Sequence, residues 1–250
     1  MQDAGVARLR FVTEPAGKPA TIDQTLLDAL DRFCGELEQQ PAHSVVVEAD
    51  SPKYFVVGAN IEALQQLNEQ TIDAWVRRGH AVLHRLASLP MPVIAKVRGF
   101  CLGGGLEVAL ACDVLVASSD AHFGLPEASL GLVPGWAGTS RLPQKVGPWF
   151  AKRMVLTGQR IDAAEAARVG LVDLLVEDPA ALDARVDEMC QSIAGLSAPA
   201  VTLSKRLCDA NLPADAWKQS AEHEAVASVQ AMREGDTQSR LAAFFASRRK

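Results

Sequence analysis

Gly103, Gly104 and Gly105 stand together, and Glu107 follows two positions later at the head of the apolar run Val108-Ala109-Leu110-Ala111. Three glycines let a backbone approach a ligand without Cβ interference, and the apolar run reads as the start of a buried helix. Free N–H groups at a helix start, with the helix dipole behind them, hold a negatively charged oxygen, and Glu107 would project one turn further along the same helix. Gly58-Ala59-Asn60-Ile61 offers a second turn of this kind, whose glycine exposes the N–H of Ala59 as another donor for the same oxyanion. A second acid, Glu127, follows Pro126. The proline holds the residue before it extended and donates no backbone hydrogen bond, so Glu127 is expected on a fixed loop rather than inside a helix.

Each feature alone also has a plainer reading. Glycines serve close packing, Glu is favoured in any first helical turn, Gly58 is merely a turn, and a charged loop residue is usually solvated. The set is more specific than its members. Two glycine-framed N–H donors stabilise an oxyanion while one carboxylate activates water and another handles a proton, which is what addition to a polarised, carbonyl-conjugated double bond requires. Other constellations are weak. His80 and His84 lie four apart on one predicted helix, with neither an HExxH pattern nor a third ligand, and are expected to be a structural or exposed pair. GxSxG and a complete P-loop are absent, and Trp75 and Trp217 fit helix packing better than a base-stacking platform.

The frame that must position these groups is ordinary. At 250 residues and 48% hydrophobic, the chain can bury a sizeable core in one large domain or one domain plus an appendage. A net charge of −5 gives no overall attraction to nucleic acid or an anionic membrane, so neither is expected as a partner. Cys34, Cys101, Cys112, Cys190 and Cys208 form no CxxC pair and read as reduced core residues. The first residues carry neither a basic flank nor an apolar core of a signal peptide, and no apolar run of membrane-spanning length occurs, so a soluble, cytoplasmic protein is expected.

Strand periods appear in Ala7, Leu9 and Phe11, in Val45-Val46-Val47, in Val93–Val97 and in Asp113–Ala117. Between them run helical patterns. Leu26, Leu27, Leu30, Phe33, Cys34 and Leu37 follow Asp23 as N-cap, and Val76, Leu83, Leu86 and Leu89 lead up to Pro90. Strands alternating with helices imply an α/β layout, with strand signals thinning from Ala163 onward. Leu182, Val186, Met189, Cys190 and Ile193 form one helical face, Ser197 with Pro199 starts a further helix, and Leu241, Phe244 and Phe245 close the chain. We divide it into an α/β core over 1–196 and a helical region over 197–250.

Gly58-Ala59-Asn60-Ile61, Gly103-Gly104-Gly105-Leu106-Glu107 and Phe123-Gly124-Leu125-Pro126-Glu127, through Pro134-Gly135 with Gly138-Thr139, resemble the enoyl-CoA hydratase/isomerase, or crotonase, superfamily and stand in that family's order. The likeness runs from about residue 6 to residue 176, with Gly158 and the stretch from Ala166 to Val176 matching the family's later signature. It implies a spiral of repeated β-β-α units with a C-terminal helical trimerisation region. By the same resemblance, an acyl-CoA thioester is the substrate, CoA enters only as part of it, and no metal or other cofactor is needed. Ala59 and Gly104 would hold the thioester oxygen, Glu107 the attacking water, and Glu127 the proton at the α carbon. Ala59, Asn60, Ile61 and Glu62 would contact the CoA moiety, and subunits would form homotrimers or homohexamers.

Family members with only the second acid usually shift double bonds, so the pair favours a hydratase over an isomerase, dehydratase or hydrolase, and over a non-catalytic RNA-binding or scaffolding member. Two departures bear on acyl and CoA contacts. Asn60 stands where the family usually has aspartate, and Trp136-Ala137 where glycine-rich wording is more usual. Lys53, Arg248, Arg249 and Lys250 are candidate phosphate contacts beside the plainer reading as solvated charge.

Overall fold

Val45, Val46 and Val47 are fully buried, yet they belong to different cores. Val45 and Val47 enter the main hydrophobic core, while Val46 joins Val6, Ile94, Val116, Leu182 and Val186 on the opposite face. A strand sends successive side chains to opposite faces, so an unbroken apolar run is stable only where both faces are covered. This strand is the middle of a sheet with helices on both sides.

A computed structural model of the chain describes residues 2–3, 5–12, 18–210, 216–234 and 236–247; the proline and glycine spacing of Pro15-Ala16-Gly17-Lys18-Pro19 predicts a turn, whose first three residues lie outside them. The chain opens with β1 (Gln2–Asp3), β2 (Val6–Phe11) and α1 (Gln24–Gln39). Asp23 caps α1 by accepting from the Leu26 N–H at 2.9 Å, and Leu27, Leu30, Cys34 and Leu37 make its buried stripe, as the spacing predicts. Three turns of a spiral follow. The first is β3 (Ser44–Ala49), β4 (Tyr54–Val57), α2 (Ile61–Gln65) and α3 (Ile72–Ala87); the second is β5 (Val93–Val97), β6 (Phe100–Leu102) and α4 (Gly104–Leu110). The third is β7 (Val114–Ser118), β8 (His122–Gly124), a one-turn 3-10 helix (Glu127–Leu130) and α5 (Gly138–Val146). Then come α6 (Pro148–Thr157), β9 (Ile161–Asp162), α7 (Ala163–Arg168), β10 (Leu174–Val176), α8 (Leu182–Ala194), α9 (Ala198–Asp209), α10 (Ala216–Glu234) and α11 (Thr237–Ser247).

Within each turn the first strand joins one sheet and the second joins another. The larger sheet has the order β1-β2-β3-β5-β7-β10 and the smaller β4-β6-β8-β9. This is the spiral of β-β-α units that the motifs imply. Because β4, β6 and β8 are adjacent and parallel, their carboxyl ends lie side by side. The segments leaving those ends are Gly58-Ala59, Gly103-Gly104 and Pro126-Glu127, so three stretches far apart in sequence open onto one crevice, the usual ligand position in parallel sheets.

Several elements differ from the sequence reading. Phe100–Leu102, His122–Gly124 and Leu174–Val176 are strands of three residues, too short to show a period; pairing with neighbours defines them. Glu127 opens a 3-10 turn rather than an irregular loop, because Pro126 supplies the residue before the turn, where no N–H is needed. Four cysteines are buried as expected, but Cys208 is exposed on α9. No helix among the described residues is long and apolar enough to cross a membrane.

The C-terminal helices bind back onto the spiral. Lys205 on α9 donates to Asp113 Oδ2 at 2.7 Å, α10 lays Ala225 against Ile72 and Val76 of α3, and Thr237 at the start of α11 donates to Gly131 O at 2.7 Å. The seat of α4 is tighter still. Every residue of this helix is buried, and a Cβ at Gly105 would overlap the Val56 carbonyl of β4. Gly105→Ala is therefore expected to lower stability by about 1–3 kcal/mol through overpacking, measured by urea denaturation. A variant as stable as wild type would mean that α4 can shift off β4.

Candidate active site

At Gly58 the chain takes φ +89° and at Gly103 φ +54°, a region that side chains rarely tolerate. The Ile22 N–H donates to Gly58 O at 2.9 Å and the Asn60 N–H to Ile22 O at 2.7 Å, so the Ala59 N–H between them points to the other side. Gly104 is the first residue of α4, and its N–H has no partner one helical turn earlier. The two groups are neighbours: a Cβ built on Gly58 would stand 3.9 Å from Gly104 N, and one on Gly104 3.6 Å from Ala59 N. No acceptor among the described residues meets either N–H. Two unpaired donors on one crevice make a cradle for an oxygen that gains negative charge.

Two acids face the same crevice. Glu107, one turn into α4, is buried, and its Oε1 accepts from the Trp136 N–H at 2.7 Å and the Gly138 N–H at 2.9 Å. Glu127 is partly exposed as a residue, yet its Oε2 is shut off from solvent and has no partner. Its Oε1 lies against the Gly103 backbone, 2.9 Å from where a Cβ would be. Burial, with repulsion from Glu127 and Glu224, pushes Glu107 well above the usual carboxylate range, against the pull of the Trp136 and Gly138 N–H groups. Burial also pushes Glu127 up to about 7, opposed by its own backbone N–H and aided by Glu224. Both acids of the pocket are thus pushed toward the protonated form, and they titrate as a pair rather than singly.

The loop that grips Glu107 is itself gripped. Four successive N–H groups alternate between two carboxylates: Trp136 and Gly138 donate to Glu107, and Ala137 (2.8 Å) and Thr139 (3.1 Å) donate to Glu224 of α10. The Thr139 hydroxyl also donates to Glu224 Oε1, and His80 Nε2 of α3 lies 2.7 Å from its Oε2. Ala137 has φ +74°, the one non-glycine residue with positive φ among those described. That explains why glycine suits this position better, and the hydrogen bonds of its neighbours hold the strain in place.

The remaining lining is apolar. Ile72, Trp75, Val76, Leu132, Trp136 and Phe244 help enclose about 220 Å³ beside the two acids. The Trp136 indole is buried, with its ring 5.3 Å from that of Trp75. Of the residues read from sequence, Ala59, Ile61, Gly104, Glu107 and Glu127 line this pocket, while Asn60 and Glu62 do not. Asn60 caps α2 by accepting from the Ala63 N–H at 3.0 Å, a task its neutral amide performs without the usual carboxylate, and Glu62 is exposed. His80 and His84 do not act as a pair: the first meets Glu224 and the second stacks on Trp217 at 4.1 Å. No metal-holding group of three or more His, Cys, Asp or Glu side chains occurs among the described residues. Lys53 is exposed, and Arg248, Arg249 and Lys250 lie outside the described residues.

Sequence reasoning missed Glu224, Phe244 and the apolar lining from α3. A signal for Glu224 exists. It sits at helical spacing among the small buried residues Ser220, Ala221, Ala225 and Ser228, where a charge needs a partner.

The chain matches the family profile described as Enoyl-CoA hydratase/isomerase over residues 2–250. It is 37% identical over 216 residues to the short-chain-enoyl-CoA hydratase of Clostridium acetobutylicum, covering 86% of this chain and 82% of that protein. It is 35% identical over 205 residues to the crotonyl-CoA hydratase of Syntrophomonas wolfei, covering 82% and 78%. The solved structure of an enoyl-CoA hydratase/isomerase from Xanthobacter autotrophicus Py2 matches with a TM-score of 0.85 at 26% identity, covering 99% of this chain and 96% of that one.

The raised value at Glu127 fixes the sign of a pH effect. The folded state binds this proton more tightly than the unfolded chain, so the group's contribution favours folding at low pH and is lost as pH rises from about 4.3 to the folded value near 7. Glu127→Gln is expected to gain stability relative to wild type across that window, read from urea midpoints at several pH values. A difference that stays flat would show that the Glu127 carboxyl is solvated.

Proposed function

The chain belongs to the enoyl-CoA hydratase/isomerase family, and from that premise we propose that it adds water to a 2-enoyl-CoA thioester, giving the 3-hydroxyacyl-CoA. The observation that carries the reading is the convergence on one apolar pocket of two partnerless N–H donors and two acids, Glu107 buried and Glu127 with one oxygen shut off from solvent. The thioester oxygen accepts from the Ala59 and Gly104 N–H groups. As water attacks the β carbon, electrons move through the conjugated system onto that oxygen, and the two donors stabilise the resulting enolate. Removing one such donor typically costs about 3 kcal/mol.

Glu107 takes the proton from the attacking water, and the two N–H groups that donate to its Oε1 offset part of the burial that resists charge there. Glu127 delivers a proton to the α carbon as the enolate collapses. Its Oε2, buried and accepting no hydrogen bond, suits a carboxyl that carries this proton into the step. One proton enters Glu107 and one leaves Glu127, so a proton passing back between the two acids resets the site. The lining by Ile72, Trp75 and Val76 keeps bulk water from competing for the enolate. Assembly into trimers or paired trimers and a cytoplasmic location complete the proposal, the latter supported by five free cysteines.

Purified protein is expected to consume the conjugated thioester absorbance of crotonyl-CoA or a longer 2-enoyl-CoA, with mass detection of a 3-hydroxyacyl-CoA. Glu107→Gln should lower kcat by about 100-fold or more. Hydration absent from a broad acyl-CoA panel, with Glu107→Gln behaving like wild type, would sink the assignment, and a moved double bond would make the protein an isomerase.

A further inference from the structure

The mechanism above uses Glu107 and Glu127, yet a third carboxylate is buried behind them with no substrate to touch. Glu224 is only 3% exposed, does not line the pocket, and receives four donors on its two oxygens. The Thr139 N–H and hydroxyl share Oε1, while the Ala137 N–H and His80 Nε2 share Oε2. With the carboxylate as acceptor, the His80 proton belongs on Nε2. We infer that Glu224 is a positioning residue for the hydration: by holding the Ala137 and Thr139 N–H groups it fixes the turn whose alternate N–H groups, on Trp136 and Gly138, aim Glu107. This inference rests on the proposed reaction.

The turn has little freedom to act otherwise. Ala137 is held in a left-handed conformation, a state that persists only where its surroundings over-determine it. Gly138 is packed so closely that a Cβ would come within 2.8 Å of Glu107 Oε1 and 2.9 Å of Pro134 Cβ. Trp136 carries the same constraint toward the oxyanion cradle, since a Cβ on Gly104 would stand 2.7 Å from its indole Cζ3. Movement of this one turn therefore shifts both the water-activating carboxylate and the floor beneath a thioester donor. Ser220, one turn before Glu224, donates to Ser140 Oγ at 2.9 Å and fastens α10 to the same segment.

Glu224 also acts on the pocket acids through space, raising both Glu107 and Glu127. The charged and titratable groups that face it are His80 from α3, Glu107 from α4, Glu127 from the 3-10 turn, and Arg141 from α5, whose Nη1 is buried without a partner. Glu224→Gln keeps size but removes one negative charge and turns an N–H₂ toward groups that are themselves donors. Glu224→Asp keeps the charge but withdraws it by one methylene.

The test measures kcat, KM and pH–rate profiles for wild type, Glu107→Gln, Glu224→Gln and Glu224→Asp, with carboxyl-stretch infrared titration of the same proteins. Glu224→Gln is expected to lower kcat by about 10- to 100-fold with KM little changed. Its rate profile and the infrared titration of the remaining pocket acids should both move to lower pH. Glu224→Asp should restore the titration toward wild type while kcat recovers only in part. If Glu224→Gln does not fold, Thr139→Val and His80→Gln, which each delete or replace one contact to Glu224 but keep its carboxylate, take its place with a smaller loss of kcat, KM little changed and the titration near wild type. Folded variants with lowered melting temperature but wild-type kcat and pH profiles would reduce Glu224 to a structural residue and overturn the inference. Wild type inactive on the enoyl-CoA panel would instead overturn the reaction itself.

Discussion

Residues 136–139 present four consecutive N–H groups, and two buried carboxylates from different parts of the chain divide them in alternation. These groups lead into α5, whose N-cap is Ala137 and whose first N–H groups lack internal partners at the positive end of the helix dipole. Each party solves a problem for the other. Unpaired buried carboxylates are expensive, and so are unpaired buried N–H groups. Removing either acid strands two peptide donors, which is why the arrangement behaves as one unit rather than as four separable hydrogen bonds.

The rest of the architecture brings this unit to the cradle formed by Ala59 and Gly104. The offset between the sheets does most of the work. Each spiral turn places one strand in the large sheet, which supplies the bulk of the core, and a second, shorter strand in the small sheet, which supplies the site. Short strands end early, and their ends expose backbone. The price of that exposure is met by close packing: α4 sits on β4 without room for a methyl group at Gly105, so the donor at its head cannot drift.

How much of this is legible from sequence depends on how local its cause is. The helix behind Asp23 and the strand Val93–Val97 are read directly, because a cap and an apolar run act within a few residues. Gly58, Gly103, Gly104, Glu107 and Glu127 stand out by residue type and line one pocket, with Gly105 packed behind them on Val56. The strands Phe100–Leu102, His122–Gly124 and Leu174–Val176 escape notice since only their partners across the sheet define them. Glu224 escapes because its meaning lies 85 positions away at Thr139. Trp136-Ala137 looks like a departure in wording, and only the backbone shows that Ala137 occupies a glycine-like conformation.

The origin of Glu224 on α10 also sets an order of events during synthesis. As the chain leaves the ribosome, the three spiral turns and their cradle emerge first, with the Ala137 and Thr139 N–H groups still lacking the acceptor that arrives 87 and 85 residues later. Until α10 docks, water must serve that turn, and the apolar pocket remains open where Phe244 of α11 will line it. A nascent or clipped chain can thus carry every glycine and both pocket acids and still lack their final alignment. The site reaches its final form only when α10 and α11 are seated.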